Sequence, residues 1–326
     1  MPKRKSPRKG SLQFWPRKRA EKFLPSVNWN AIDSNGLNSS SNKHKIKGFI
    51  GYKVGMMSAS ISDMTPNSLT IKKRIIVPAT IISVPSMKIF SVRFYKQGKV
   101  ASEVLSDNID KELKKRLKLP KAKSDFSKKI EAVKSDSYDD ITVIAYSQVK
   151  KTGIKKAPDL IELGLNGNSN EKLNFVKENI NRELNVNDVF SKGELVDVRG
   201  LTKGHGFSGT VKRYGIKLKR KKSEKGQRRP GSLGPWHPAR VDFRALLAGQ
   251  LGMFTRIVYN NKIIDIGNSE KGKTLNGIKN FGDVDGEYIV VKGSVQGPAK
   301  RQILITEALR PTKKQLKKKY EFVELR

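Results

Sequence analysis

The sequence predicts a mainly β fold: two β-rich blocks build one small barrel, an α/β insertion separates them, and long basic extensions project outward. Three observations carry that expectation. β-Branched runs lie on both sides of a single stretch of helical spacing, glycine alternates with apolar residues early in the first block, and positive charge gathers in three segments. The chain has 326 residues with 67 Lys and Arg against 30 Asp and Glu, a net charge of +37. A compact body with that imbalance repels itself unless most of the excess faces a polyanion, and nucleic acid is the first candidate. Hydrophobic residues make up 36% of the chain and glycine adds 27 more positions, enough for a buried core and too many for a wholly disordered basic protein.

Residues 1–45 read as an extended basic arm, because Pro2, Pro7, Pro16 and Pro25 break any helix and Asn35 to Asn42 is a Ser/Asn/Gly linker. Residues 46–98 form the first part of the barrel. Gly48 to Met57 alternates glycine with apolar residues, as tightly coiled strands require, and the β-branched runs Arg74 to Val84 and Ile89 to Tyr95 continue that sheet. Residues 99–185 are the insertion. Leu105, Ile109, Leu113 and Leu117 recur at helical spacing before Pro120, Asp140 to Ser147 is a strand, and Leu173, Val176 and Ile180 mark a second helix. Residues 186–309 return to the barrel with strands at Glu194 to Arg199, Gly252 to Tyr259, Lys262 to Ile266, Glu287 to Lys292 and Gln302 to Thr306, interrupted by an extended basic loop at 203–244. Residues 310–326 close the chain as a basic segment.

The charge is unevenly placed. Residues 1–22 carry a net +8, residues 203–229 a net +10 and Arg310 to Lys319 a net +6, whereas residues 131–200 sum to −2. Runs of cations interleaved with Trp, Phe and Gly suit RNA, which needs phosphate neutralisation and flat groups for stacking.

Several motifs suggest other chemistry and fail on context. Gly267 to Thr274 satisfies the P-loop pattern, but Leu275 to Gly282 holds two glycines and no helical stripe to face a phosphate. Gly204 to Val211 matches a dinucleotide or kinase glycine loop, yet a lysine run follows it and Glu224 ends no second strand. His44, His205 and His237 lie far apart, so no metal site is expected, and no spaced acid pair points to general acid/base work. The absence of cysteine excludes disulfides, thiolate metal centres and a cysteine nucleophile. The basic N-terminus is followed by no apolar stretch, and Ile75 to Met87 carries two prolines and is too short to span a bilayer, so a soluble, unexported, non-enzymatic chain without cofactor is expected. Two other classes remain as alternatives: a P-loop nucleotidase acting on RNA through Lys273, and a basic architectural DNA protein.

The segment Gly226 to Arg244 is the most unusual. Pro230, Pro235 and Pro238 with Gly226, Gly231 and Gly234 allow neither a helix nor a central strand, and Trp236 sits among Arg229, His237 and Arg240, placed to wedge against bases while the arginines take phosphates. Four ordered motifs carry a resemblance: Lys9-Gly10-Ser11-Leu12-Gln13-Phe14-Trp15-Pro16-Arg17-Lys18-Arg19-Ala20, Gly51-Tyr52-Lys53-Val54-Gly55-Met56, Thr202-Lys203-Gly204-His205-Gly206-Phe207 and Gly234-Pro235-Trp236-His237-Pro238-Ala239-Arg240-Val241. Together they resemble the universal large-subunit ribosomal protein L3 family. The likeness continues through Asp283 to Gly286 and Lys292 to Pro298, and the arm and the Trp-His-Pro form are similar to the archaeal type.

The resemblance implies a translation-protein β-barrel of the SH3-like, reductase and elongation-factor kind. It also implies a cytoplasmic ribosomal location, binding near the 3′ end of 23S-type rRNA, nucleation of large-subunit assembly, and a Trp-tipped loop reaching toward the peptidyl transferase centre. Neighbouring proteins of the L14 and L24e families are the implied protein partners, with no membrane and no small-molecule substrate. The implied RNA-binding residues are Lys9, Trp15, Arg17, Lys18 and Arg19 on the arm and Lys203, His205, Phe207, Lys212, Arg213, Lys219, Arg220, Arg228, Arg229, Trp236, His237, Arg240 and Arg244 on the loop. His205 stands where the family commonly has lysine, and the chain stops at Arg326 without the longer tail of eukaryotic members.

Overall fold

The computed structural model describes residues 7–32, 45–121, 125–131, 133, 137–269 and 275–326. It divides into two units, Phe23–Gly200 with Arg256–Arg326 and Met1–Lys22 with Leu201–Thr255.

The larger unit is built on a ring of six strands. β1 (Gly48–Asp63) pairs with β2 (Arg74–Ser83) along one edge, and the order runs on through β11 (Gly286–Lys292), β10 (Thr255–Ser269), β7 (Leu195–Leu201) and β12 (Gln302–Glu307) back to β1. β1 is long enough to serve two partners on its second edge. Its first part, Gly48 to Tyr52, pairs antiparallel with β12, and its last part, Ala59 to Asp63, pairs antiparallel with β13 (Tyr320–Leu325). Closure removes the open edges that a six-stranded sheet otherwise exposes. Phe49, Ile50, Tyr52, Ile81, Ile82, Val290, Ile303, Leu304 and Ile305 on these strands are fully buried, consecutive ones on opposite faces of the sheet. The early glycines fit this crowding: a Cβ on Gly51 would stand 2.6 Å from Ile82 Cγ2, so the alternation reflects lack of space for a side chain.

A second, antiparallel sheet has the order β4-β3-β5-β6, with β3 at Met87–Lys96, β4 at Lys99–Leu105, β5 at Asp140–Ser147 and β6 at Leu160–Gly164. A buried polar cluster links it to the barrel. The Tyr52 hydroxyl donates to Asp159 at 2.6 Å and lies 2.7 Å from the Ser147 hydroxyl, while Arg116 donates to Asp159 at 3.0 Å and Lys155 pairs with the same carboxylate. Burial, then the Asp159 charge, pushes the Tyr52 hydroxyl well above its ordinary value, so it stays a donor.

Several expectations need correction. Ile89 to Tyr95 does not continue the barrel: β3 pairs with β4 and β5, because composition marks a strand without saying which strand lies beside it. The spacing from Leu105 to Leu117 does not form one helix. Leu105 ends β4 and Leu113 sits in a 3-10 turn, Lys111–Lys115. Asp110 accepts from Tyr146 and Gln148, both at 2.8 Å, which fixes the chain in an extended conformation just before that turn. Short helices do occur at α1 (Phe126–Glu131) and α2 (Ser169–Asn179), the latter burying Leu173 and Val176 as its spacing predicts. Residues 23–32, read as arm, belong to the larger unit and bury Trp29 in its core; the linker Asn35 to Asn42 and His44 lie outside the described residues. The C-terminal basic segment also folds, into α4 (Lys313–Leu316) and β13. Of the P-loop match, Gly267 to Ser269 complete β10, where a Cβ on Gly267 would meet Tyr288 at 2.6 Å; Glu270 to Thr274 lie outside the described residues.

Lys262 on β10 anchors the C-terminal segment. Its buried ammonium donates to the carbonyls of Gln315 at 3.0 Å, Leu316 at 3.5 Å and Lys318. Burial, with Lys292 and Lys318 adding to it, pushes Lys262 down to about 8 from its ordinary 10.5. Between these values the unfolded chain holds a proton that the folded chain has released, so stability from this group rises with pH across that window. Lys262→Met should remove a rise on the order of 3 kcal/mol. Urea midpoints of both proteins across the window check it, and parallel pH profiles refute it.

Candidate nucleic-acid interface

The smaller unit starts from a two-stranded ribbon, β8 (Gly204–Ser208) and β9 (Gly249–Gly252). The strands meet closely because their ends are glycine. Gly252 has φ +79°, and a Cβ there would lie 1.9 Å from the Lys203 carbonyl oxygen. After β8 the chain makes α3, Thr210–Tyr214, which stops at Gly215 in the left-handed conformation. The glycine run Gly204 to Gly209 thus leads into only five helical residues, too few to seat a dinucleotide phosphate.

Tyr214 is the centre of this unit. Its ring stacks on Trp15 of the arm at 6.5 Å and 23°, and Trp15 meets Phe243 edge-on at 6.2 Å. The Arg17 and Arg213 guanidiniums lie 4.6 and 5.1 Å from the Tyr214 ring. Gly10 passes so close that a Cβ would stand 2.6 Å from Tyr214 Cδ1. Arg213 then ties three segments together through backbone oxygens, donating to Gln250 at 3.0 Å, Leu247 at 2.8 Å and Arg17 at 3.4 Å. Arg8 donates to the Arg244 carbonyl at 2.6 Å, and the Ala20 amide to the Met253 carbonyl at 2.9 Å. The arm and the loop base therefore form one clamp.

The implied RNA-binding residues divide accordingly. Trp15, Arg17 and Arg213 are half-buried and engaged within the clamp. Lys9, Lys18 and Arg19 on the arm, Lys203 and His205 on the ribbon, and Lys212, Lys219, Arg220, Arg228, Arg229, His237, Arg240 and Arg244 on the loop are exposed. Phe207 is 81% and Trp236 85% exposed, so Trp236 is not folded back onto apolar neighbours. The sequence reading does not single out Tyr214, Phe243, Arg8 or Gly10 as partners. The arm and loop positions they join lie about 200 residues apart, as in the 196-residue separation of Arg17 and Arg213, and no local pattern reports such pairing.

Electrostatics sharpen the contrast. The smaller unit, Met1–Lys22 and Leu201–Thr255, holds 22 Lys and Arg against three acids, a net +19 of the chain's +37. Among its described residues no cation makes a salt bridge. In the second sheet and the segments flanking its strands, by comparison, Arg93 pairs with Glu103 at 3.0 Å and Glu162 at 2.9 Å, Lys172 of α2 with Asp140 at 2.5 Å and Lys151 with Glu183 at 2.6 Å. Positive charge left unpaired beside exposed aromatic rings is arranged for a polyanion with flat faces. Among the described residues no group of three or more His, Asp and Glu side chains is placed to hold a metal ion.

The family model described as Ribosomal protein L3 matches residues 1–326. The chain belongs to the ribosomal protein L3 family. It is similar to the large ribosomal subunit protein uL3 of Archaeoglobus fulgidus, 38% identical over 318 residues that cover 94% of this chain and 93% of the relative. The uL3 proteins of Methanocaldococcus jannaschii and Methanobrevibacter smithii are each 38% identical, over 94% of this chain and 92% and 93% of their own lengths. L3 membership makes the chain a structural constituent of the large ribosomal subunit in the cytoplasm, a ribonucleoprotein component of translation and not an enzyme. Among the described residues no helix is long and apolar enough to cross a membrane.

Proposed function

We propose that this chain is a primary binder of 23S-type rRNA near its 3′ end, nucleates large-subunit assembly and extends the Trp236 loop toward the peptidyl transferase centre. The observation that carries the reading is the loop itself: residues 231–244 are exposed at every position. A segment that buries so little of its own surface cannot offset the entropy of ordering by itself, and a bound RNA can. The exposed cations of arm and loop neutralise phosphates, Phe207 and Trp236 supply faces for bases, and the clamp around Tyr214 fixes where both extensions leave the ribbon. Neighbours of the L14 and L24e families are part of the same reading.

The test is a salt titration of the full chain against transcribed fragments of large-subunit rRNA and duplex DNA of equal length. Contact with six or more phosphates predicts a loss of about 10³-fold or more in affinity between 50 and 200 mM salt. The 3′-end fragment should outcompete both the 5′-end fragment and the duplex. Equal affinity for all three would overturn the reading in favour of a non-specific basic binder.

A further inference from the structure

On the larger unit, the turn between β1 and β2 is folded around one carboxylate. Asp63 is buried and accepts from the Thr65 amide at 3.0 Å, the Ser68 hydroxyl at 3.0 Å and the Thr70 hydroxyl at 2.6 Å. Backbone bonds close the neck, from the Lys72 amide to the Asp63 carbonyl at 2.7 Å and from the Asp63 amide to the Lys73 carbonyl at 3.1 Å. With its polar groups turned inward, the hairpin displays apolar side chains outward. Leu69 is 96% exposed, Ile76 60%, and Ile71 and Met64 nearly half. Such a pre-ordered tip has little conformational freedom to lose on binding.

Cations line both sides of this tip. Lys72, Lys73 and Arg74 run from it into β2. On the other side of β1, the Lys319 carbonyl accepts from the Met64 amide at 2.9 Å and the Lys319 amide donates to the Thr65 hydroxyl at 3.1 Å, so the start of β13, with exposed Lys317 and Lys319, lies alongside. Three adjacent strand ends set the two cation rows about 10 Å apart, two strand spacings. None of these five cations makes a salt bridge among the described residues. Of the neighbouring acids, Asp63 is engaged inside the hairpin and Glu324 accepts from Arg326 at 2.7 Å, leaving Glu321 exposed on β13. An apolar wedge between two rows of unpaired cations matches the wide, shallow minor groove of an RNA helix, whose sugar and base surface lies between two phosphate backbones.

We propose that the β1–β2 hairpin and the start of β13 form a second rRNA-binding site, distinct from the arm and loop. Leu69 lies against the groove surface, and Lys72, Lys73, Arg74, Lys317 and Lys319 take the flanking phosphates. The site rests on the rRNA-binding reading above, so its experiment separates the two. The full chain is titrated with transcribed large-subunit rRNA over a salt series. Lys72→Ala/Lys73→Ala/Lys319→Ala should weaken binding about tenfold and flatten the log–log salt slope by about 2, since each phosphate contact contributes about 0.7–0.9. Leu69→Ser should lower affinity with the slope unchanged, and its exposure leaves folding undisturbed. Arg228→Ala/Arg229→Ala reports the loop in parallel. If the loop variant weakens binding while both hairpin variants keep wild-type affinity and slope, this site is refuted and the broader reading stands. If the wild-type chain does not bind the rRNA, both fall. A photo-crosslinker at position 69 in assembled subunits should reach rRNA; capture of a ribosomal protein in its place would assign the tip to a protein partner and overturn the site.

Discussion

Replacing Trp236 by alanine should leave the protein as stable as before and disable it in the subunit. The side chain is 85% exposed and has no ring or cation partner among the described residues, so nothing in the isolated chain depends on it. Surface changes of this kind stay within about 0.5 kcal/mol. A base stacked on an aromatic ring, by contrast, contributes about 1–3 kcal/mol, a factor of roughly 5 to 150 in occupancy of the docked position. Sucrose-gradient profiles should show immature large subunits, and purified mutant subunits should form peptide bonds more slowly. Trp236→Phe retains a flat face and should recover most of both. Wild-type profiles and wild-type peptide-bond formation in the alanine variant would remove Trp236 from the mechanism.

The exposure that makes this expectation clean was largely legible in the sequence, because Pro and Gly around Trp236 forbid regular structure and cations around it forbid an apolar pocket. The barrel strands were legible for a related reason: their β-branched runs carry a period or a composition that is local. What was not legible depends on pairing across distance. β3 has the composition of a barrel strand and joins the other sheet, since its partners β4 and β5 are chosen by packing. Asp110 turns a helical spacing into an extended piece and a 3-10 turn through bonds to Tyr146 and Gln148, more than 30 residues away. β13 could have been found, because Tyr320-Glu321-Phe322 alternates half-buried rings with an exposed acid, but the lysines before it dominate the segment. The sharpest revision concerns the site. Trp15, Arg17 and Arg213 carry the look of RNA contacts, yet in this chain the Trp15 ring and both guanidiniums are engaged in the clamp, where they tie the arm to the base of the loop.

That revision makes Tyr214→Ala the most damaging single change in the smaller unit. Leu201 and Tyr214 are its buried large apolar side chains among the described residues, so this unit has almost no core apart from the Tyr214 stack. Truncating a buried aromatic costs about 3–5 kcal/mol, to which two lost cation–π contacts add about 1 kcal/mol each. The arm residues then lose Trp15 stacking and the close fit at Gly10, and the loop base loses its registration by Arg213. Proteolytic cleavage within residues 7–22 and 209–248 should accelerate by two orders of magnitude or more, which is the conversion of about 3 kcal/mol into an opening equilibrium. The partners lost all lie within the smaller unit, so the main thermal transition, set by the barrel core, should move little. Affinity for rRNA should fall although no phosphate contact has been removed. Tyr214→Phe separates ring from hydroxyl. The Tyr214 hydroxyl is buried and has no hydrogen-bond partner, so removing it should be neutral or slightly stabilising. Equal proteolysis of the alanine and phenylalanine variants would show that the ring does not hold the arm to the loop, and the clamp would have to be abandoned.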